Sequence, residues 1–270
     1  MADYGYDKFS GGQTFYFHSD KSSSANIMGR QHYHNIFELY YLTAGRCSYF
    51  IDNKSYDITP GDLVIIPEGI IHKTMYDGGE HERKLINFSR HYLPKTVIPT
   101  LSQLMYIYRN DGATDEVRKF FDLIEQEYNN PDGYTDDALK SYIRLLFLTL
   151  ARRPNTKISR ASSSEFIEST VKYVQRSFAQ DITLTEAARL HSVSPEHLSR
   201  RFKRETGFGF SEYLNLVRLQ HAEQLLAGGE ELSISEIAYA SGFNDSNYFS
   251  DKFKKEYGIS PLKFRNQIKK

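Results

Sequence analysis

Four residues in the first third of the chain have the types and spacing of a ligand set. His32 and His34 alternate along "HYHNIFELYYLTAG", Glu38 follows four residues after the second histidine, and His72 closes "GDLVIIPEGIIH". Side chains alternate along an extended segment, so His32 and His34 share one face, while Glu38 lies on the next extended run and His72 comes from another strand. Three imidazoles and a carboxylate suit a divalent metal such as Zn, Mn, Fe or Ni. The same groups can instead hydrogen-bond the hydroxyls of a small polar molecule, or simply satisfy one another. Tyr40 and Tyr76 are candidate wall residues of such a site.

A second chemistry lies near the other end. Arg200, Arg201, Lys203 and Arg204 place four positive charges within five residues; Lys252, Lys254 and Lys255 place three within four further on, followed by Lys263, Arg265, Lys269 and Lys270. Such clusters suit phosphate contacts, and short polar side chains beside them can reach base edges. Bulk charge hides this, because 34 Lys and Arg balance 34 Asp and Glu. From Glu165 to Lys270 the count is 15 against 14, a net of +1, so the positive charge is concentrated rather than general.

The elements that must position these residues differ along the chain. From Thr14 to Ser89, "FELYYL", "CSYFIDNKSYDI", "DLVIIP" and "KLINFS" are rich in β-branched and aromatic residues. They are punctuated by Asp52-Asn53, Pro60-Gly61, Pro67-Glu68-Gly69 and Gly78-Gly79, which reads as a barrel or sandwich of short strands. The period then changes. "TDEVRKFFDLIEQEY" places Val117, Phe120, Phe121, Ile124 and Tyr128 on one helical face, and "DDALKSYIRLLFLTLARR" does so with Leu139, Tyr142, Ile143, Leu146, Phe147 and Leu150. The second helix is apolar over a wider arc than packing on one barrel needs, which points to a homodimer. Residues 153–164, "RPNTKISRASSS", read as a linker.

Beyond the linker the chain repeats itself. "LTEAARLHSVSPEHLSRRFKRETG" and "ISEIAYASGFNDSNYFSDKFKKEYG" align at an offset of 50 up to a turn and 51 after it. Each copy opens on a capping box, Thr183 with Glu186 and Ser233 with Glu236. Ser194-Pro195 and Asp245 cap the second helix of each copy, and Gly207 and Gly258 close it. Between the copies runs one long helix, with Leu214, Val217, Ala222 and Leu225 facing inward and Gly228-Gly229 ending it. Leu190, Leu198, Phe202, Phe243, Phe249 and Phe253 read as core.

"GFNDSNYFSDKFKKEYGISPLKFR" and the copy before it resemble the signature of AraC-family transcription regulators over roughly Ser169 to Arg265. The resemblance implies two recognition helices entering adjacent major-groove segments about 34 Å apart. It sets Glu196, Ser199 and Arg200 in the first copy, and Ser246, Asn247 and Ser250 in the second, toward bases. Arg200 suits guanine, Asn247 adenine and Glu196 cytosine. Arg201, Lys203, Arg204 and Lys254 are assigned to the phosphates. Asp251 departs from the basic residue usual in the family; it reads cytosine, pairs with Lys255 at i+4, or repels phosphate and leaves the second copy binding less tightly or with relaxed base preference.

The earlier segment resembles the cupins from Asn26 to Tyr76: His32, His34, Glu38 and Gly45 keep one motif, and Gly61, Pro67, Gly69 and His72 the other, with Tyr76 in place of the closing Asn. Sensor domains of AraC regulators share this frame and hold an organic ligand in it. The expectation is therefore an α+β protein of two domains. Residues 1–152 form a cupin-like jelly-roll barrel (about 14–90) with a helix pair (about 114–152), and residues 165–270 form an all-α double helix-turn-helix. The expected partners are double-stranded DNA, a sugar-like effector, a second copy of the chain and, for an activator, RNA polymerase. No cofactor is required unless His32, His34, Glu38 and His72 hold a divalent metal, as in a metal-dependent cupin enzyme or a metal-responsive regulator. One cysteine, Cys47, excludes an internal disulfide, and with no segment resembling a signal peptide or a membrane span it suggests a cytoplasmic protein.

Overall fold

A computed structural model describes residues 14–23, 36–76, 78–98, 106–109, 114–152, 163–228 and 231–268. They fall into two compact units, with described parts 14–152 and 163–268. His32 and His34, residues 1–13 and residues 153–162 of the expected linker lie outside the described residues.

The first unit contains strands β1 (Phe15–Ser22), β2 (Phe37–Ala44), β3 (Cys47–Ile51), β4 (Lys54–Ile58), β5 (Leu63–Ile66), β6 (His72–Met75), β7 (His81–Phe88) and β8 (Ile107–Tyr108). A five-stranded sheet runs β1-β7-β2-β5-β8 and a three-stranded sheet runs β4-β3-β6, with every pair antiparallel. The β3–β4 hairpin turns at Asp52, whose φ of 59° lies in a left-handed region that Asp tolerates better than most residues.

Alternation divides strands β2, β5 and β7 of the larger sheet between two cores. Tyr40, Leu42, Val64, Ile66 and Leu85 of the larger sheet meet Cys47, Tyr49, Ile51 and Ile58 of the smaller one, forming the barrel interior. On the other face of the larger sheet, Leu39, Tyr41, Ile65, Ile86 and Phe88 form a second core with α1 (Thr114–Asn129) and α2 (Thr135–Arg152). Phe121 stacks on Tyr41 at 5.0 Å, and Lys84 bridges Asp122 and Glu125 at 2.6 and 2.7 Å. Leu139, Ile143, Leu146, Phe147 and Leu150 are all buried in this cluster, so the chain's own sheet uses most of the wide apolar arc of α2. Leu123 and Leu145 are the large apolar side chains of the pair that stay exposed.

The second unit is helical: α3 (Glu165–Ser177), α4 (Leu184–Leu190), α5 (Pro195–Thr206), α6 (Phe210–Ala227), α7 (Ile234–Ala240), α8 (Ser246–Tyr257) and α9 (Pro261–Ile268). Both capping boxes are formed. Ser194 caps α5 through the amide of His197, and Asp245 caps α8 through that of Tyr248. Gly207 and Gly258 close the two helices at φ of 78° and 74°. Leu198, Phe202, Phe249 and Phe253 face the core, with Tyr213 of α6 and Phe264 of α9 against them.

Leu190 departs from the core expectation, being 61% exposed. At 3.6 residues per turn it lies about 110° round from the direction shared by Ala187 and Ala188. Those two alanines carry the buried face of this short helix. Leu225 is likewise only half-buried, and Leu226 takes the inward position.

Candidate functional site

Two polar clusters occupy the barrel interior. In the first, Glu38 of β2 is buried and accepts the Tyr49 hydroxyl at 2.5 Å and the Asn87 amide at 3.4 Å. His72, at the start of β6, lies 2.7 Å from the Ile70 carbonyl through Nδ1. A carbonyl only accepts, so Nδ1 carries the proton. This turns Nε2 toward Glu38, 3.7 Å from Oε1. The pair suits hydrogen bonding to a polar ligand. Among the described residues, no group of three or more His, Cys, Asp or Glu is placed to hold a metal ion. The metal reading therefore rests on His32 and His34, which lie outside the described residues.

The second cluster centres on Arg83, which side-chain alternation along β7 turns inward with Leu85 and Asn87. Its guanidinium is completely buried. Nη1 donates to the Tyr76 hydroxyl at 2.8 Å, and that hydroxyl lies 3.0 Å from the Tyr40 hydroxyl, itself 3.4 Å from Cys47 Sγ. The guanidinium carbon sits 5.9 Å from the Tyr40 ring centre and 5.7 Å from that of Tyr76. Burial pushes the Tyr40 and Tyr76 hydroxyls well above the usual tyrosine range, so both stay protonated. Burial pulls the guanidinium down, but Tyr76, Tyr40, Tyr49 and Asp20 more than offset it and Arg83 stays cationic. Asp20 of β1 approaches Nη2 at 3.7 Å, and His81 stacks on Tyr76 at 3.8 Å.

Sequence reasoning picked out Glu38, Tyr40, His72 and Tyr76, and the structure puts all four in this interior. It missed Arg83, Asp20, Tyr49, His81 and Asn87. The available signal was register: extending "KLINFS" back through "HERK" sets Arg83 on the same face as Leu85.

In the second unit the exposed face of α5 carries Glu196, Ser199, Arg200, Lys203 and Arg204, and the matching face of α8 carries Ser246, Asn247, Ser250 and Lys254. Each set falls at spacings of three and four, opposite the buried Leu198 and Phe202 or Phe249 and Phe253. Ser199, Ser246 and Ser250 are half-buried, and the Ser250 hydroxyl donates to the Ser246 carbonyl at 2.8 Å. Arg201 points elsewhere: Nε and Nη2 both bond Glu205 Oε1 at 2.6 Å, and the guanidinium lies 5.3 Å from the Phe166 ring centre. The other Glu205 oxygen accepts from Ser164 N and Oγ, both at 2.8 Å, so this cluster ties the start of α3 to α5. Asp251 is exposed beside these helix residues.

A β-barrel with buried polar clusters in its interior, followed along the chain by a doubled helix-turn-helix, is the arrangement of a DNA-binding transcription regulator with a ligand-binding domain. The chain belongs to the AraC family: residues 24–167 match the AraC-like ligand binding domain and residues 187–267 match a helix-turn-helix domain. The HTH-type transcriptional regulator YijO of Escherichia coli K12 is 38% identical over 113 residues, covering 42% of this chain and 40% of YijO. The HTH-type transcriptional activator RhaR of Mannheimia succiniciproducens is 26% identical over 247 residues, covering 88% of this chain and 87% of RhaR. These relatives are transcriptional regulators, not enzymes. ToxT of Vibrio cholerae O395 covers 94% of this chain and 98% of its own at 16% identity, with a TM-score of 0.39. Among the described residues no helix is long and apolar enough to cross a membrane.

Proposed function

We propose that this regulator reads double-stranded DNA with α5 and α8 and that a small polar metabolite inside the barrel sets its affinity. Glu196, Ser199, Arg200, Ser246, Asn247 and Ser250 meet base edges, and Lys203, Arg204 and Lys254 meet phosphates. Arg201 supports the interface from behind, through Glu205. The observation that carries this reading is the pair of matched helices, each capped alike and each presenting a polar face opposite its aromatic core. The metabolite is sugar-like, bearing hydroxyls that Glu38, His72, Tyr40 and Tyr76 can bond. The regulator works as a homodimer through α1 and α2, and it contacts RNA polymerase where it activates.

Binding to operator fragments across a salt series tests the DNA half. Lys254→Ala weakens binding to all sequences alike and reduces the salt slope by about 1; an unchanged slope overturns its phosphate role. Sedimentation at micromolar concentration tests the dimer, and a monomer with and without DNA refutes it. A ligand shifts DNA binding only if it binds two arrangements of the protein with different affinity. A metabolite that raises the melting temperature must therefore also change operator affinity.

A further inference from the structure

Arg83 is completely buried, yet two of its donors, Nε and Nη2, have no hydrogen-bond partner among the described residues. These two nitrogens form one edge of the planar guanidinium. Its opposite side is fixed by the Nη1 bond to Tyr76, and the ring faces of Tyr40 and Tyr76 lie within 6 Å. The arrangement holds the cation still while leaving its fork unmade. His81, stacked on Tyr76, contributes a third buried nitrogen, Nε2, also without a partner among the described residues.

We propose that the effector carries a carboxylate, and that Arg83 binds it in a bidentate manner through the Nε–Nη2 edge. This rests on reading the barrel as an effector site, and it narrows the sugar-like class to hydroxy acids. A carboxylate offers two coplanar oxygens at the spacing of the two donors. A lone hydroxyl meets only one of them. A phosphate dianion brings a second negative charge close to Asp20, whose Oδ2 lies 3.7 Å from Nη2. Asp20 stands on the edge strand β1; its Oδ2 is buried and has no hydrogen-bond partner among the described residues, but the side chain is 21% exposed, so a rotation takes it toward water when a ligand carboxylate occupies the fork. The Tyr40 and Tyr76 hydroxyls remain in place for the ligand's own hydroxyls, and the two rings wall its carbon frame.

Thermal shifts of the full-length protein at constant ionic strength test this with matched probes: galacturonate against galactose, glucuronate against glucose, and benzoate against benzamide, with glucose 6-phosphate as the phosphate arm. The expected result is stabilisation by an acid and not by its neutral counterpart. Arg83→Lys, which keeps the charge and loses the fork, weakens that acid on the order of tenfold or more. Asp20→Asn, at a partly exposed site that tolerates the change, tightens the acid by removing its competitor. Equal or better stabilisation by a neutral sugar, together with weaker binding in Asp20→Asn, overturns the carboxylate while leaving the effector reading intact. Stabilisation by glucose 6-phosphate alone also overturns it. No shift from any probe counts against both readings. An Arg83→Lys protein that binds the acid like the native chain removes Arg83 from the site.

Discussion

Arg201 donates to Glu205 at 2.6 Å and lies over Phe166, whereas Arg200, next in sequence, is exposed on the polar face of α5. Sequence alone puts both in one basic cluster, and only the helix's contacts with α3 separate them. Arg200→Ala should weaken binding to the best operator by about 1–3 kcal/mol and relax the preference at one base pair, with melting unchanged. Arg201→Ala should instead lower stability by about 1 kcal/mol, because its carboxylate partner is largely buried. Titrating operators altered at single positions, beside thermal melts of both variants, separates the two roles. An equal loss on every sequence would make Arg200 a phosphate contact. Arg83 was hidden for a related reason. A charged residue among "HERK" reads as a solvated face unless β7 is carried back to His81; pairing with β1 and β2 on either side gives the strand that length, and alternation then turns Arg83 inward.

Elements held by local chemistry were the most legible. The capping boxes and the αL glycines involve residues a few positions apart, and the structure forms each of them, once in each copy of the repeat. Strands β6 and β8, four and two residues long, owe their existence to pairing with β3 and β5, which no local pattern announces. The repeat also shows how one turn is built twice. Ser192 and Gly242 occupy equivalent places at the offset of 50, and both have positive φ, 54° and 84°. The first copy accepts the strain of a side chain there. In the second, a Cβ on Gly242 would meet the Phe178 carbonyl oxygen at 2.5 Å and Ala179 Cα at 2.9 Å, both backbone atoms. Gly242→Ala should therefore destabilise the chain by about 2 kcal/mol or more, combining left-handed strain with overpacking. Ser192→Gly should change stability by about 1 kcal/mol or less, since relief of strain is countered by a freer unfolded chain. Urea unfolding of both variants checks this, and a Gly242→Ala protein as stable as the native one would show that the backbone following α3 yields easily.

Across the whole molecule, 34 positive and 34 negative residues cancel, so self-repulsion near neutral pH is small and individual groups whose protonation differs between the folded and unfolded chain shape the pH dependence. Glu256 is the clearest of them. It lies on α8, between the exposed Lys255 and the buried Tyr257, and burial pushes its carboxyl up to about 7; Glu212 adds to the rise and Lys255 opposes it. An unfolded glutamate releases its proton near 4.5. Between that value and about 7 the folded chain therefore holds more protons than the unfolded one, so stability falls as pH rises through this window and levels off above it. Replacing the carboxylate with a neutral amide removes the effect. Glu256→Gln should match the native chain near pH 4.5 and exceed it by about 1–2 kcal/mol at pH 8, allowing for partial solvent screening. Urea unfolding at pH 5, 6, 7 and 8 gives both curves. A native curve that rises across this range, or a variant that follows its slope, would mean that Glu256 stays ionised where it is buried and that Lys255 outweighs desolvation.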